Sequence, residues 1–214
     1  MSARTTVLLV DDHSVVREGY RRLLEVSGGI TVVGEAASAT EAYHMFCSLM
    51  PDVAVMDIAL PGVSGIEALR RILVHEPKAR VLMFSMYEDA IFARRALEAG
   101  AAGYLTKAAA PRVLVEAVAS VAGGRRFLSP DVAQTLALQP LSTEQGSHEI
   151  LSAREFEVLK LLADGCALNE IARQLGLNPK TVANHQSSIR QKLGADNGTQ
   201  LLRAAIRLGL VPPF

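Results

Sequence analysis

Short apolar runs at Val7–Val10, Thr31–Val33, Val53–Met56, Val81–Phe84 and Gly103–Leu105 punctuate the first 124 residues. Between them lie segments of about a dozen residues whose apolar side chains recur at helical spacing. Ser14–Val26 repeats them at Val15, Val16, Leu23 and Leu24, and Ile66–Val74 at Ile66, Leu69, Ile72 and Leu73. Strands alternating with helices predict a parallel sheet covered on both faces. The last helix of this series, Arg112–Ala122, is opened by Pro111 and closed by Gly123-Gly124. The expectation is a doubly wound, five-stranded α/β domain over residues 1–124.

The pattern then changes. Residues 125–147 hold Ser-Pro, Gln-Pro and a Ser/Thr/Gln/Gly cluster without sustained periodicity, which predicts a linker with a short helix near Asp131–Leu138. From residue 148 the chain is helical throughout. Ser152 and Glu155 form a capping box in which each side chain satisfies the other's backbone N–H. Leu159, Leu162 and Ala163 continue one face until Gly165. A short helix, Glu170–Leu175, stops at Gly176. Asn178-Pro179 then supplies an N-cap and a first-turn proline for Pro179–Leu193, which Gly194 ends. With Thr199–Leu208, four short helices make a small all-α domain over 148–214.

Composition narrows the class. Of 214 residues, 50% are hydrophobic and 21% charged, as in an ordinary globular chain. No apolar run reaches the ~18 residues that span a bilayer, and the N-terminal run is too short for a signal peptide, so a cytoplasmic protein is expected. Cys47 and Cys166 show neither disulfide-framework nor zinc spacing. The net charge of zero hides a split: residues 1–124 carry −2, residues 125–149 carry −1, and residues 150–214 carry +3. A basic C-terminal part hints at a nucleic-acid partner.

Functional groups of an open α/β sheet gather at the carboxyl ends of its strands. Here those ends carry Asp11, Asp12, Asp57, Ser85 and Lys107. Carboxylates so close repel one another unless a cation lies among them, and a hard divalent ion such as Mg²⁺ suits oxygen donors. Two aspartates in the first strand-to-helix turn exclude a free nucleotide phosphate there. A carboxylate can instead attack phosphorus and become an aspartyl phosphate. Lys107 would neutralise one phosphoryl oxygen and Ser85 bond another. A lone strand-end aspartate is usually only a cap; the whole set is what points to chemistry.

The motifs Val10-Asp11-Asp12-His13, Asp57 with Leu60-Pro61 and Gly65, Ser85, and Gly103-Tyr104-Leu105-Thr106-Lys107 resemble a response-regulator receiver domain over residues 5–124. That resemblance implies a flavodoxin-like fold, Asp57 as phosphoacceptor, and Mg²⁺ held by Asp12, Asp57 and the carbonyl of Ala59, with Asp11 acting through water. It also implies a switch pair, in which Ser85 moves to the phosphoryl group and the Tyr104 ring swings inward. The positions of Ala59 and Tyr87 would influence how long the phosphate survives. The five histidines show no ligand spacing.

Glu170–Leu175, the turn at Gly176–Asn178 and Pro179–Leu193 have helix-turn-helix order, in which the second helix enters the major groove. Val182, Ile189 and Leu193 mark its packed face. Lys180, Thr181, Asn184, His185, Ser187 and Ser188 are expected on the exposed face, and Lys180, Arg190 and Lys192 are its cations. Cations serve phosphates, and short polar side chains read bases. The stretches Leu151–Leu159, Glu170–Leu175, Lys180–His185 and Lys192-Leu193-Gly194 resemble the LuxR-type helix-turn-helix over 148–211. Ala183 and Ser187 are uncharged where some relatives carry bases, which moves base reading toward Asn184.

Together the two halves resemble a two-component response regulator of the NarL/FixJ class. The resemblance implies a partner sensor histidine kinase, double-stranded promoter DNA, RNA polymerase as a further candidate partner, and a homodimer when phosphorylated, away from membranes. It implies no enzyme beyond weak self-phosphorylation and self-dephosphorylation. Two other classes compete. An aspartate-nucleophile phosphatase would need an acid two residues after Asp57, where Ala59 stands. A phosphorylation-independent DNA-binding regulator would use the first domain only to dimerise.

Overall fold

The computed structural model describes residues 4–61, 63–86, 90–109, 111–138 and 151–207. They fall in two compact units, Met1–Leu141 and Ser142–Phe214. The first alternates β1 (Thr5–Val10), α1 (Ser14–Val26), β2 (Ile30–Ala36), α2 (Ala39–Leu49), β3 (Val53–Met56), α3 (Gly65–His75), β4 (Val81–Ser85), α4 (Ala90–Glu98), β5 (Gly103–Thr106) and α5 (Pro111–Ala122). It then adds β6 (Phe127–Leu128) and α6 (Pro130–Leu138).

All strand pairs are parallel, in the order β2-β1-β3-β4-β5-β6. β3, β4 and β5 are buried along their whole length, which is why their sequence lacks apolar-polar alternation. One face packs Val7, Leu9, Val55, Leu82, Phe84 and Leu105 against Leu24 of α1 and against Leu114, Ala117, Val118 and Val121 of α5. Strand order reverses beside β1: the chain steps outward to β2, then crosses back to β3. The crevice at that reversal lies at the carboxyl ends of β1 and β3, where Asp11, Asp12 and Asp57 follow their strands.

Two features differ from the sequence expectation. The sheet has six strands, because Phe127–Leu128 pairs with Gly103 and Tyr104 of β5. The segment expected as a linker over 125–147 therefore begins as part of the first unit, with β6 and α6 packed on β5 and α4. A two-residue strand has no period to read. It forms because the far side of β5 still offers backbone donors and acceptors, which Phe127 and Ser129 meet. Residues 139–150 lie outside the described ones.

The second unit holds α7 (Ala153–Ala163), α8 (Leu168–Gln174), α9 (Pro179–Leu193) and α10 (Gly198–Arg207). The capping box is present: Glu155 N donates to Ser152 Oγ, and Ser152 N donates to Glu155 Oε2 at 2.7 Å. Asn178 caps α9 by accepting from Lys180 N, Pro179 occupies its first turn, and Gly194 ends it at φ +61°. The core is Phe156, Val158, Leu159, Ile171, Val182, Ile189 and Leu201. Among the described residues no helix is long and apolar enough to cross a membrane.

Candidate functional site

Asp11 and Asp57 end adjacent strands and are locked by their own backbones. Asp57 N donates to Val10 O, and Asp11 N donates to Ala36 O. Each carboxylate also accepts an amide two residues on: His13 N donates to Asp11 Oδ1 at 2.8 Å, and Ala59 N donates to Asp57 Oδ1 at 3.1 Å. These short turns aim both side chains into the crevice. Both residues are buried.

Lys107 answers them. Its Nζ donates to Asp57 Oδ2 at 2.6 Å and contacts Asp11 Oδ2, while its backbone N donates to Ser85 O at 2.8 Å. One ammonium thus bridges two carboxylates in a nearly water-free place. Burial pushes the Lys107 ammonium down, but the charges of Asp57 and Asp11 and the hydrogen bonds to them outweigh it and raise its pKa. Phe84 lies beneath, its ring centroid 6.0 Å from Nζ, with Tyr20 packed edge-on against that ring.

Asp12 stands exposed at the rim, with His13 Nδ1 2.8 Å from its Oδ1. One ligand atom from each of Asp11, Asp12 and His13 lies within 4.8 Å of the others. The structure therefore brings Asp11, Asp57 and Lys107 into direct contact and leaves Asp12 outside that contact. The donor set fits a hard divalent cation: the carboxylates of Asp11, Asp12 and Asp57 outnumber the one ammonium, so the pocket keeps a negative excess and offers hard oxygen ligands. Ser85 is fully buried at the end of β4, and Tyr104 is fully buried on β5. Tyr87 lies outside the described residues.

One contributor escaped the sequence, and a second showed there without its reason. Arg17, on the first turns of α1, donates from Nη1 to the backbone carbonyl of Asp11 at 2.5 Å and pairs through Nε with Glu35 of β2. It ties the Asp11 turn to the neighbouring strand. Gly65 opens α3 directly against Asp57: a Cβ there would stand 1.9 Å from the Asp57 carbonyl oxygen, and Gly65 N donates to Ile58 O at 3.0 Å. Gly65 is visible in the sequence as a motif member, but its reason is not.

In the second unit, α8 and α9 are joined by a tight turn in which Leu177 N donates to Ala172 O and Gly176 sits at φ +62°. Lys180, Asn184 and Ser187 are exposed on α9, and Thr181 and His185 are partly so. Ser188 and Lys192 do not lie free on that face. Ser188 Oγ donates to Glu155 Oε1 at 2.6 Å, and Lys192 Nζ lies 2.7 Å from Glu155 Oε2. Both positions flank the buried seam of Val182 and Ile189, so they reach the buried carboxylate of α7. Burial pushes Glu155 up, but bonds from Lys192, Ser188 and Ser152 outweigh it and hold its pKa below the ordinary value. Arg154 Nη2 donates to Leu175 O, so the first turn of α7 holds both the turn and the second helix.

Comparison with known proteins finds a family match in each of the two units. The family described as response regulator receiver domain matches residues 7–119, and the family described as bacterial regulatory proteins, luxR family, matches 149–205. Response regulator UvrY of Escherichia coli (strain K12) is 39% identical over 95% of this chain and 94% of its own. A crystal structure of a LuxR-family two-component response regulator from Aurantimonas sp. SI85-9A1 is 50% identical, covering 63% of this chain and 96% of that one, with a TM-score of 0.62. The response regulator RcsB in an RcsB–DNA complex is 29% identical over 97% of this chain and 99% of that one, with a TM-score of 0.61.

Proposed function

The chain belongs to the two-component response regulators of the NarL/FixJ class, a receiver domain followed by a LuxR-type DNA-binding domain, and from that premise we propose that phosphorylation of Asp57 by a sensor histidine kinase controls its binding to promoter DNA. The observation that carries this reading is the ammonium of Lys107 held between Asp57 Oδ2 and Asp11 Oδ2. An aspartate that only capped a helix would need no buried ammonium.

The chemistry is a phosphoryl transfer. A carboxylate oxygen of Asp57 forms a bond to phosphorus as the bond from phosphorus to the donor's imidazole nitrogen breaks, the nitrogen leaving with the electron pair. Asp57 is held for this by Ala59 N on one oxygen and Lys107 on the other. Lys107 then lies beside the charge that the new phosphoryl oxygens carry, in a site where few waters screen it. The hydroxyl of Ser85, at the end of the next strand, supplies a neutral donor. Asp11, Asp12, Asp57 and the carbonyl of Ala59 would hold Mg²⁺, which screens the repulsion between the carboxylates and the incoming phosphoryl group.

In the DNA-binding domain, Lys180 serves phosphates while Asn184 and Ser187 face bases, with Thr181 and His185 beside them. The phosphorylated chain binds as a homodimer on half-sites about one helical turn apart. The test is selection from random duplex DNA with the wild-type chain, with and without a small acyl phosphate and Mg²⁺, beside Asp57→Ala. Tighter, dimeric binding confined to the phosphorylated wild type supports the proposal. Equal binding in every sample would make the protein a phosphorylation-independent regulator.

A further inference from the structure

The segment that follows α5 and leads toward the second unit is fastened to β5, the strand that ends beside Lys107. β5 carries Tyr104 and Thr106 on one face by the two-residue period of a strand, and Lys107 follows at once. Its outer edge is taken by residues 127–129: Phe127 N donates to Ala102 O at 3.1 Å, and Ser129 N donates to Tyr104 O at 3.2 Å. The approach is close enough that a Cβ on Gly103 would stand 2.5 Å from the carbonyl oxygen of Phe127. α6 starts immediately afterwards, with Val132 buried and Ala133 N donating to Ser129 O.

One side-chain bond completes this attachment. Thr106 Oγ1, in a residue that is 1% exposed, donates to Asp131 Oδ2 at 3.1 Å. The partners are 25 residues apart, and the acceptor is a carboxylate, so the bond is of the stronger charged kind. Thr106 is joined by one peptide bond to Lys107, whose amide is bonded to Ser85 and whose ammonium is bonded to Asp57. An aspartyl phosphate carries about two negative charges beside that ammonium where the carboxylate carried one. It therefore pulls on the end of β5 at the residue next to the Thr106 hydroxyl.

We propose that the Thr106–Asp131 hydrogen bond clamps the interdomain segment to β5 and that phosphorylation of Asp57 releases it, making Asp131 a positioning residue for the response of DNA binding to phosphate. The inference rests on the proposed phosphorylation of Asp57. It adds the side chain through which that event reaches the segment leading to the DNA-binding domain. Asp131 also sits in the first turn of α6, where any carboxylate suits the helix N-terminus. A purely local role there would not need Thr106.

The test uses the full chain and the DNA sequence found by selection, with affinity measured before and after phosphorylation by a small acyl phosphate and Mg²⁺. Thr106→Val removes the donor and keeps the shape; Asp131→Ala removes the acceptor at an exposed position. Each is expected to tighten DNA binding by the unphosphorylated chain by about 5- to 10-fold, within the usual range of coupling between sites. Binding by the phosphorylated chain should not change, and the double variant should gain no more than either single one. Thermal melting of each variant checks that the domain is intact. A phosphorylated-to-unphosphorylated ratio equal to that of the wild type in both variants, or additive effects in the double, overturns the clamp while leaving the function standing. A wild-type chain whose affinity ignores phosphorylation overturns the function itself.

Discussion

Gly65 and Asp57 touch backbone to backbone, with a space between the Gly65 Cα and the Asp57 carbonyl that not even a methyl group could enter. The start of α3 therefore sets the height of the loop from which the Asp57 carboxylate and the Ala59 carbonyl are presented. Gly65→Ala must displace one or the other. It should cost about 1–3 kcal/mol of stability by overpacking and reduce labelling by a small acyl phosphate at least about tenfold, the loss expected from a displacement near 1 Å. Denaturant unfolding and intact-mass spectrometry read the two effects; full labelling would show that the loop tolerates the shift.

Removal of the bridging ammonium leaves Asp11 and Asp57 facing each other in a buried place. Lys107→Met should destabilise the first unit by about 3–5 kcal/mol in metal-free buffer, as for a buried pair that loses one partner. Mg²⁺ should restore more stability to this variant than to the parent, because the competing cation has gone. In the parent, the raised pKa of Lys107 sets the sign of the pH effect. Its contribution is complete below the ordinary lysine value of 10.5 and disappears only as pH rises through the higher folded value. Unfolding midpoints with and without Mg²⁺ check both statements, and an equal Mg²⁺ effect in the two proteins would count against a shared site.

Glu155 predicts the opposite sign for the second unit. Its folded pKa lies below the ordinary 4.5, so its contribution is present above pH 4.5 and is lost as pH falls through the folded value. Glu155→Gln should cost on the order of 1–3 kcal/mol near neutral pH, through weakened bonds to Lys192 and Ser188. The gap between variant and parent should close in acid. A gap that stayed constant from neutral pH to below pH 4 would mean that charge on Glu155 plays no part.

Lys180 and Lys192 are both cations of α9, but only Lys192 is held by a buried carboxylate. Lys180→Ala should weaken binding to all DNA sequences alike and lower the salt slope by about one counterion, whereas Lys192→Ala should lower stability and change the slope less. Asn184→Ala should instead relax sequence preference, at about 1–3 kcal/mol for the lost base contact. Titrations at several salt concentrations separate these effects. Equal slopes for the two lysine variants would show that Lys192 leaves Glu155 for the DNA.

The legible parts of this protein are those with local spacing. Ser152 and Glu155 declare a capping box three residues apart, Asn178-Pro179 and Gly194 bracket α9, and valine-rich runs mark strands that helices cover on both sides. Asp11, Asp57 and Lys107 were legible as strand ends because the fold brings strand ends together. Arg17 was hidden, since nothing in its position on α1 says that its guanidinium turns back to the Asp11 carbonyl. The bonds of Ser188 and Lys192 to Glu155 were hidden for a similar reason. The periodicity located the apolar seam at Val182 and Ile189, but not the carboxylate of Glu155 waiting beside it. β6 is too short to carry any pattern, and only its partner strand explains it.

The pairing of Phe127 and Leu128 with β5 bears on how the protein can be cut. Composition suggests ending the first domain at residue 124, yet that break would strip β5 of its neighbour. The carbonyls of Ala102 and Tyr104 would then lose the amides of Phe127 and Ser129 along an edge of apolar residues, open to the same edge of another copy. A fragment so trimmed would carry its own template for self-association, whereas one carried through Leu138 would keep the edge closed.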